Sequence, residues 1–358
     1  MTEYMKKIAI VGTVGIPACY GGFESLVQNL VDYQSKNISY TVFCSSKMYK
    51  IKPCNYKSAR LEYVPLKANG ISSVFYDIFS LLLCLRHRYD VILILGVSGC
   101  VILPFFRLFS RSKIVTNIDG LEWRRDKWGR IAKIFLKLSE NIAVRFSDAV
   151  ISDNQAIGNY VKVEYGKESQ VIAYGGEHAV ISNYNISNLK GDYYLSLCRI
   201  EPENNVSMIL EAFEMLPYKL KFVGNWNNSD YGRSLKEKYK TSPNIKIIDS
   251  IYDVETLFEL RGQCKGYIHG HSAGGTNPSL VEAMQFGMEI IAFDCNFNRF
   301  TTENMAHYFV DVESLCQNIV DIESEVASCV GTSMFEIAQR RYQWSIIARQ
   351  YEDILADD

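Results

Sequence analysis

Short apolar runs alternate with longer amphipathic ones along the whole chain. Residues 7–11, 39–44, 91–95, 113–117 and 149–152 carry the compact apolar pattern of strands, and 25–34, 72–85 and 131–145 carry the 3.6-residue period of helices. A second series follows, with strands expected at 193–197, 220–223, 245–248, 266–269 and 290–293. Helices are expected between them at 206–215, 234–240, 254–260 and 279–286. Strand alternating with helix predicts parallel sheets joined by crossover helices. The polar, irregular stretch 177–192 separates the two series, so the pattern predicts an α/β protein of two doubly wound domains. Each would offer the carboxyl ends of its strands to a ligand in a cleft. The long uncharged stretch 91–106 is broken by Gly96, Gly99 and Pro104. It falls short of the ~20 apolar residues that a membrane span needs, and reads as a buried parallel strand followed by a loop.

Composition narrows the class. A length of 358 residues suits two domains, and 48% hydrophobic with 22% charged residues is ordinary for a globular protein. The ten Cys form no C-x-x-C pair and only five His accompany them, which points to a reduced, intracellular chain rather than a disulfide scaffold or zinc site. The polar start runs directly into a strand, so no signal peptide is expected. The net charge of −2 hides an asymmetry: residues 1–180 hold 23 Lys+Arg against 15 Asp+Glu, and the remainder 15 against 25. Cations concentrate at Arg107, Arg111, Lys113, Arg124, Arg125, Lys127, Arg130, Lys133 and Lys137, interleaved with Phe105, Phe106, Phe109, Trp123, Trp128 and Phe135. That mixture suits either ordinary solvated helix faces or, more sharply, an anionic membrane surface bound peripherally and salt-sensitively. No nucleic-acid motif accompanies it.

Three segments carry candidate chemistry. His269-Gly270-His271-Ser272-Ala273-Gly274-Gly275-Thr276-Asn277-Pro278-Ser279-Leu280-Val281-Glu282 leaves a strand, forms a loop of small residues and opens a helix with Pro in its first turn. Gly274 and Gly275 let backbone approach a ligand, and free N–H groups there suit a phosphate. Glu282 is expected to present a carboxylate to sugar hydroxyls. In the other domain, the loop from Gly12 through Gly15, Gly21 and Gly22 reaches a helix carrying Glu24, a second phosphate-compatible entry. It is not a dinucleotide fingerprint, because the G-x-G-x-x-G spacing fails and the next strand ends without an acid for a ribose. The third segment is Leu195 to Asn205, with Arg199 at the ligand edge of its strand.

Together these pieces resemble the GT-B glycosyltransferases of family 4, over nearly the whole chain. Arg199 falls where that family has an arginine, Glu282 falls on the second glutamate of its E-x7-E motif, and Tyr342-Gln343-Trp344…Tyr351 resembles its last helix. Four blocks are similar to a bacterial polysaccharide rhamnosyltransferase subgroup: Gly15-Ile16-Pro17-Ala18-x-Tyr20-Gly21-Gly22-Phe23-Glu24, Asn117-Ile118-Asp119-Gly120-Leu121-Glu122-Trp123, Arg199 to Asn205, and Gly274 to Ser279. The chain departs from the broad family where Asn204 replaces a lysine, Gly274 the first glutamate and Asp119 a histidine.

The resemblance implies two Rossmann-like domains: residues 1–176 for the acceptor, joined by a C-terminal helix 337–358, and 177–336 for the donor. It implies retaining transfer of L-rhamnose from dTDP-rhamnose to a lipid-linked saccharide, in the cytoplasm at the inner face of the plasma membrane, without a cofactor or metal. Arg199 and the 274–277 loop (Gly274, Gly275, Thr276, Asn277) would hold the diphosphate, with Gly15, Gly21 and Gly22 closing over it, and Asn205 would be a further donor-binding residue. Glu282 would hold the ribose, and Gly224, Asn225, Ile251 and Tyr252 would flank the base. Glu24, Asp119 and Glu122 are expected on acceptor or sugar hydroxyls, with Asp119 also a candidate general base. Rival expectations are a UDP- or GDP-sugar donor, a nucleotide-sugar epimerase, and a non-catalytic nucleotide-sugar or glycan binder.

Overall fold

The structure, a computed structural model, describes residues 5–18, 21–118, 120–124, 128–181 and 191–357. It divides into two compact units, one formed by Met1–Ala173 with Trp344–Asp358, the other by Tyr174–Gln343.

The first unit is built on β1 (Lys6–Val11), β2 (Ile38–Ser45), β3 (Asn55–Tyr56), β4 (Ala59–Val64), β5 (Val91–Leu95), β6 (Lys113–Ile118), β7 (Ala149–Ser152) and β8 (Gln170–Val171). Their order is β3-β4-β2-β1-β5-β6-β7-β8, parallel except for the β3–β4 hairpin. Strand β5, Val-Ile-Leu-Ile-Leu, is buried along its whole length, the unbroken apolar run of a strand covered on both faces. The connecting helices are α1 (Gly22–Asp32), α2 (Ser72–Arg86), α3 (Leu103–Phe109), α4 (Arg130–Phe146) and α5 (Gln155–Tyr165). From β1 to β2 the chain steps one way across the sheet, and from β4 through β5, β6 and β7 to β8 it steps the other way. Right-handed crossovers therefore put α1 on one face and α2 to α5 on the other. Packing agrees, since α2 meets α3, α3 meets α4 and α4 meets α5.

The second unit has a six-stranded parallel sheet in the order β11-β10-β9-β12-β13-β14. These strands are β9 (Tyr193–Leu197), β10 (Lys219–Gly224), β11 (Ile245–Asp249), β12 (Gly266–His269), β13 (Glu289–Phe293) and β14 (His307–Phe309). Its helices are α6 (Val206–Met215), α7 (Asp230–Tyr239), α8 (Val254–Gly262), α9 (Pro278–Met284), α10 (Asn296–Thr301), α11 (Val312–Glu323) and α12 (Gly331–Arg341). Tyr194, Phe213, Phe222 and Trp226 anchor the core between the sheet and α6 and α11, with the Phe222 and Trp226 rings edge to face at 5.2 Å. The last helix, α13 (Trp344–Ala356), belongs to the first unit and packs on α1.

Two segments differ from their sequence expectations. The helix expected over 337–358 is divided, since α12 ends at Arg341 in the second unit and only α13, from Trp344, joins the first. After β5 the chain is helical rather than a loop: a 3₁₀ turn at Cys100–Ile102 runs into α3, with Pro104 in the first turn, where its missing N–H has no partner to lose.

Candidate functional site

In the second unit the strand order reverses between β9 and β12, the kind of switch point at which open α/β sheets bind ligands. The β9–β12 register pairs Gly266 with Tyr194 and Tyr267 with Leu195. Past those pairs side chains take over the joining: Ser196 Oγ donates to Ile268 O at 3.0 Å, and Tyr267 Oη to Leu197 O at 2.9 Å. Two loops meet here, Cys198–Asn205 and Gly270–Asn277.

Arg199 stands on the first loop with half of its side chain exposed, and its nearest carboxylate, Glu201, is 3.8 Å away. Its backbone is fixed from three sides. Asn204 Nδ2 donates to Arg199 O at 2.7 Å, Glu201 N donates to the same oxygen at 2.9 Å, and Ile200 N donates to Asn225 Oδ1 at 2.7 Å. Asn204, which stands where the broad family has lysine, is thus buried and pins the arginine loop. The second loop is stitched to the first. Asn205 Nδ2 donates to Gly270 O at 2.9 Å, and Ser272 donates to Glu203 O through both N and Oγ. A half-exposed guanidinium on a fixed backbone is what this produces.

Around this centre the expected residues take definite places. Gly274 has φ +130° with open space where a Cβ would lie, so its conformation rather than crowding demands glycine. Gly275 is half-buried beside it and Thr276 is buried. Asn277 caps α9, its Oδ1 accepting from Ser279 N and Oγ. At Gly224 a Cβ would lie 2.4 Å from Ile200 Cδ1 and 2.7 Å from Cys198 O, so this glycine lets β10 approach the arginine loop. Ile251 and Tyr252 follow β11, two strands away from β9, and the Tyr252 ring is exposed.

Glu282 differs from the free carboxylate expected. It lies on α9 paired with the buried Arg261 and, at 3.2 Å, with His178. Burial pushes its carboxyl up, but Arg261 and His178 more than reverse this and hold it below the ordinary value. Sequence reasoning also passes over His269 at the end of β12. Burial pushes its imidazole down to about 3, so it is neutral, and neither ring nitrogen has a hydrogen-bond partner. Its ring stacks on His271 at 4.4 Å.

In the first unit the order reverses at β1 and β5. The β1 loop is braced internally: Glu24 Oε1 accepts from Thr13 Oγ1 at 2.9 Å and from Val14 N at 2.7 Å, and the residue is buried. Its place is therefore a loop brace rather than an open hydroxyl contact. Gly15, at φ +128°, lies against β2, where a Cβ would come within 2.6 Å of Cys44 Sγ. Gly21 is the N-cap of α1 and Gly22 its first residue. The β5 loop is tied by Ser98 Oγ to the buried Asp77 of α2. Glu122 accepts from Trp128 Nε1 at 3.0 Å. Asp119 lies outside the described residues, as do Arg125 and Lys127. Among the described residues no group of three His, Cys, Asp or Glu side chains could hold a metal ion.

Two doubly wound units of this topology define the GT-B fold, and solved structures agree. Sucrose-phosphate synthase from Thermosynechococcus elongatus is similar with a TM-score of 0.77 at 16% identity, covering 98% of both chains. Anabaena HepE in complex with UDP gives a TM-score of 0.75 at 16% identity, over 98% of this chain and 100% of that one. HepE in complex with UDP-glucose gives 0.74 at 15%, over 99% and 100%. Residues 180–315 match the family described as glycosyl transferases group 1, and residues 5–177 match a domain of unknown function, DUF1972. No curated protein matches the chain. The fold is that of the GT-B glycosyltransferases, and the match to glycosyl transferases group 1 falls within the second unit.

Proposed function

We propose that this chain is a retaining glycosyltransferase that moves L-rhamnose from dTDP-rhamnose to a hydroxyl of a lipid-linked saccharide, in the assembly of a bacterial surface polysaccharide such as a capsule. The work is done in the cytoplasm, at the inner face of the plasma membrane. The observation that carries the reading is Arg199, a half-exposed cation on a pinned loop at the β9–β12 switch point. A switch point at the carboxyl ends of parallel strands is where open α/β sheets bind ligands. A guanidinium matches phosphate oxygens with a fixed fork and a permanent charge.

In the proposed step the bond from the anomeric carbon to the diphosphate oxygen breaks, and a bond from that carbon to the acceptor oxygen forms. The acceptor proton passes to the departing diphosphate on the same face. Positioning and stabilisation of the growing diphosphate charge supply the rate. Arg199 and the amides of Gly274, Gly275, Thr276 and Asn277 take that charge, and no metal is used. Asn205 and Asn225 hold the loop that carries the arginine, and Tyr252 offers an exposed ring to the base. Asp119 and Glu122 are assigned to the acceptor, Asp119 as a hydroxyl ligand or base.

The sugar and base rest on the four sequence blocks shared with the rhamnosyltransferase subgroup. One specific observation favours another donor: the similar HepE was solved with UDP and with UDP-glucose. Calorimetry separates the two readings. Tighter binding of dTDP-rhamnose than of UDP-glucose or GDP-mannose is expected, and the reverse order overturns the donor assignment.

A further inference from the structure

The helices α2, α3 and α4 lie side by side on one face of the first sheet, and their outward surfaces invert the usual pattern. Helix α2 buries Asp77 and Ser80, yet exposes Phe75, Phe79 and Leu82. Those three fall within a narrow stripe at about 100° per residue. On α3 the exposed side chains are Phe105, Leu108 and Phe109, with the two phenylalanine rings 4.8 Å apart. On α4 they are Ile131, Ile134 and Leu138, again one stripe, while Ser139 and Glu140 point inward. Scattered exposed apolar residues need no explanation, but nine of them concentrated on three neighbouring helices mark an interaction surface.

The charges around this face say what covers it. The only acids on the three helices are Asp77 and Glu140, and both are buried. The other charged residues on them are Arg86, Arg107, Arg130, Lys133, Lys137 and Arg145. A second copy of the chain would bring like charges together across the contact. An anionic surface would not.

Several cations expected to face lipid have other work. Arg107 donates to Phe146 O and Ser112 O and pairs with Asp148 at 2.6 Å. Lys113 Nζ donates to Ile354 O and Asp357 O. Lys137 pairs with Glu164 and lies under the rings of Trp123, Tyr160 and Tyr165, and Arg124 stacks on Trp123 and Tyr160. The free basic charge is thinner than the sequence suggests, and the apolar face is broader. Among the described residues no helix is long and apolar enough to cross a membrane.

We infer that the α2–α3–α4 face inserts into an anionic lipid bilayer, held chiefly by its apolar side chains and oriented by Arg111 and Arg130 at its rim. This deepens the lipid-linked acceptor reading, but its observations are independent of donor chemistry. It changes the expected salt response: a charge-led contact is lost in salt, whereas an apolar one persists.

The test is co-sedimentation of the full chain with phosphatidylglycerol vesicles, at low salt and at about 0.5 M NaCl, where exposed charges are strongly screened. Wild-type protein is expected to bind in both. The variant Phe75→Ser/Leu108→Ser/Ile131→Ser removes side chains that are 63%, 77% and 87% exposed, so its fold stays intact by circular dichroism. Its vesicle binding is expected to fall tenfold or more, with dTDP-rhamnose affinity unchanged. Arg111→Ser/Arg130→Ser is expected to weaken only the low-salt binding. Wild type that ignores the vesicles, binding abolished by salt, or a triple variant that binds equally well overturns the inference. So does a wild-type dimer that the triple variant loses without any vesicle binding. Donor affinity, read by calorimetry on the same preparations, reports on the transferase reading separately.

Discussion

Arg199 is the residue on which the proposed chemistry turns, because Asn204, standing where the resembled family has lysine, uses its amide to hold the Arg199 carbonyl. Removing a charged hydrogen bond costs about 1.5–3 kcal/mol, or roughly 10–150-fold in kcat/KM. Arg199→Ala is expected to lose that much donor turnover while keeping its circular dichroism spectrum. Unchanged kinetics would remove Arg199 from the diphosphate. Glu282 behaves differently from the free ligand that its motif position implies. Arg261 is only 3% exposed, so Glu282→Ala leaves a buried guanidinium without its counter-charge. Breaking such a pair costs about 3–5 kcal/mol. The variant is expected to melt well below wild type in calorimetry. A normal Tm with weakened nucleotide binding would instead show a carboxylate devoted to ligand. Because the folded carboxyl is held below its ordinary value of 4.5, its contribution is present above that pH and is lost as pH falls through the folded pKa.

At the scale of elements, both units tie down the loops at their switch points with buried polar side chains. Asp77 is the sharpest case. Burial pushes its carboxyl up to about 7, against the opposing hydrogen bond from Ser98. A raised acid stabilises the fold fully below the unfolded value of 3.8, and that contribution drains away as pH rises through about 7. Asp77→Asn removes the titration at nearly constant shape. Its stability relative to wild type is expected to rise between pH 4 and pH 7, by about 1.4 kcal/mol for each pH unit, and to level off above that. Urea unfolding at pH 4 and pH 8 checks this, and a flat difference would mean that Asp77 stays charged.

The same elements show what the sequence makes legible. Strands β5, β7, β9 and β12 and helix α6 stand where the apolar period puts them, because buried parallel strands read as unbroken apolar runs. Strand β4, Ala-Arg-Leu-Glu-Tyr-Val, is hidden by its charged residues, since it lies near the sheet edge with Arg60 and Glu62 directed off the core. Helix α5 leaves a readable signal, Asn154 as its cap and Gly166 at φ +66° as its stop, that periodicity alone passes over. In the site, the motifs locate the loops but not their stitching. Nothing local announces that Asn205 reaches Gly270 or that Glu282 meets Arg261, for these pairings are made by the strand order, whereas Asn204 reaches Arg199 within a single loop.

At the scale of the molecule, the GT-B fold supplies two switch points, and each is finished by a different kind of loop. The second unit presents a cation on a fixed backbone, and the first presents a glycine-rich loop braced by Glu24. The first unit also exposes apolar side chains on α2, α3 and α4, which suits the lipid-linked acceptor proposed above. The most direct test of the central claim is transfer itself. Radiolabelled dTDP-rhamnose is mixed with the chain and lipid-linked mono- and disaccharides in phosphatidylglycerol vesicles, and the lipid fraction is counted. The account predicts label in the lipid fraction that depends on acceptor and falls by about tenfold or more in Arg199→Ala. Donor converted to an epimer without acceptor, or donor bound with no label transferred to any lipid-linked saccharide, would contradict it.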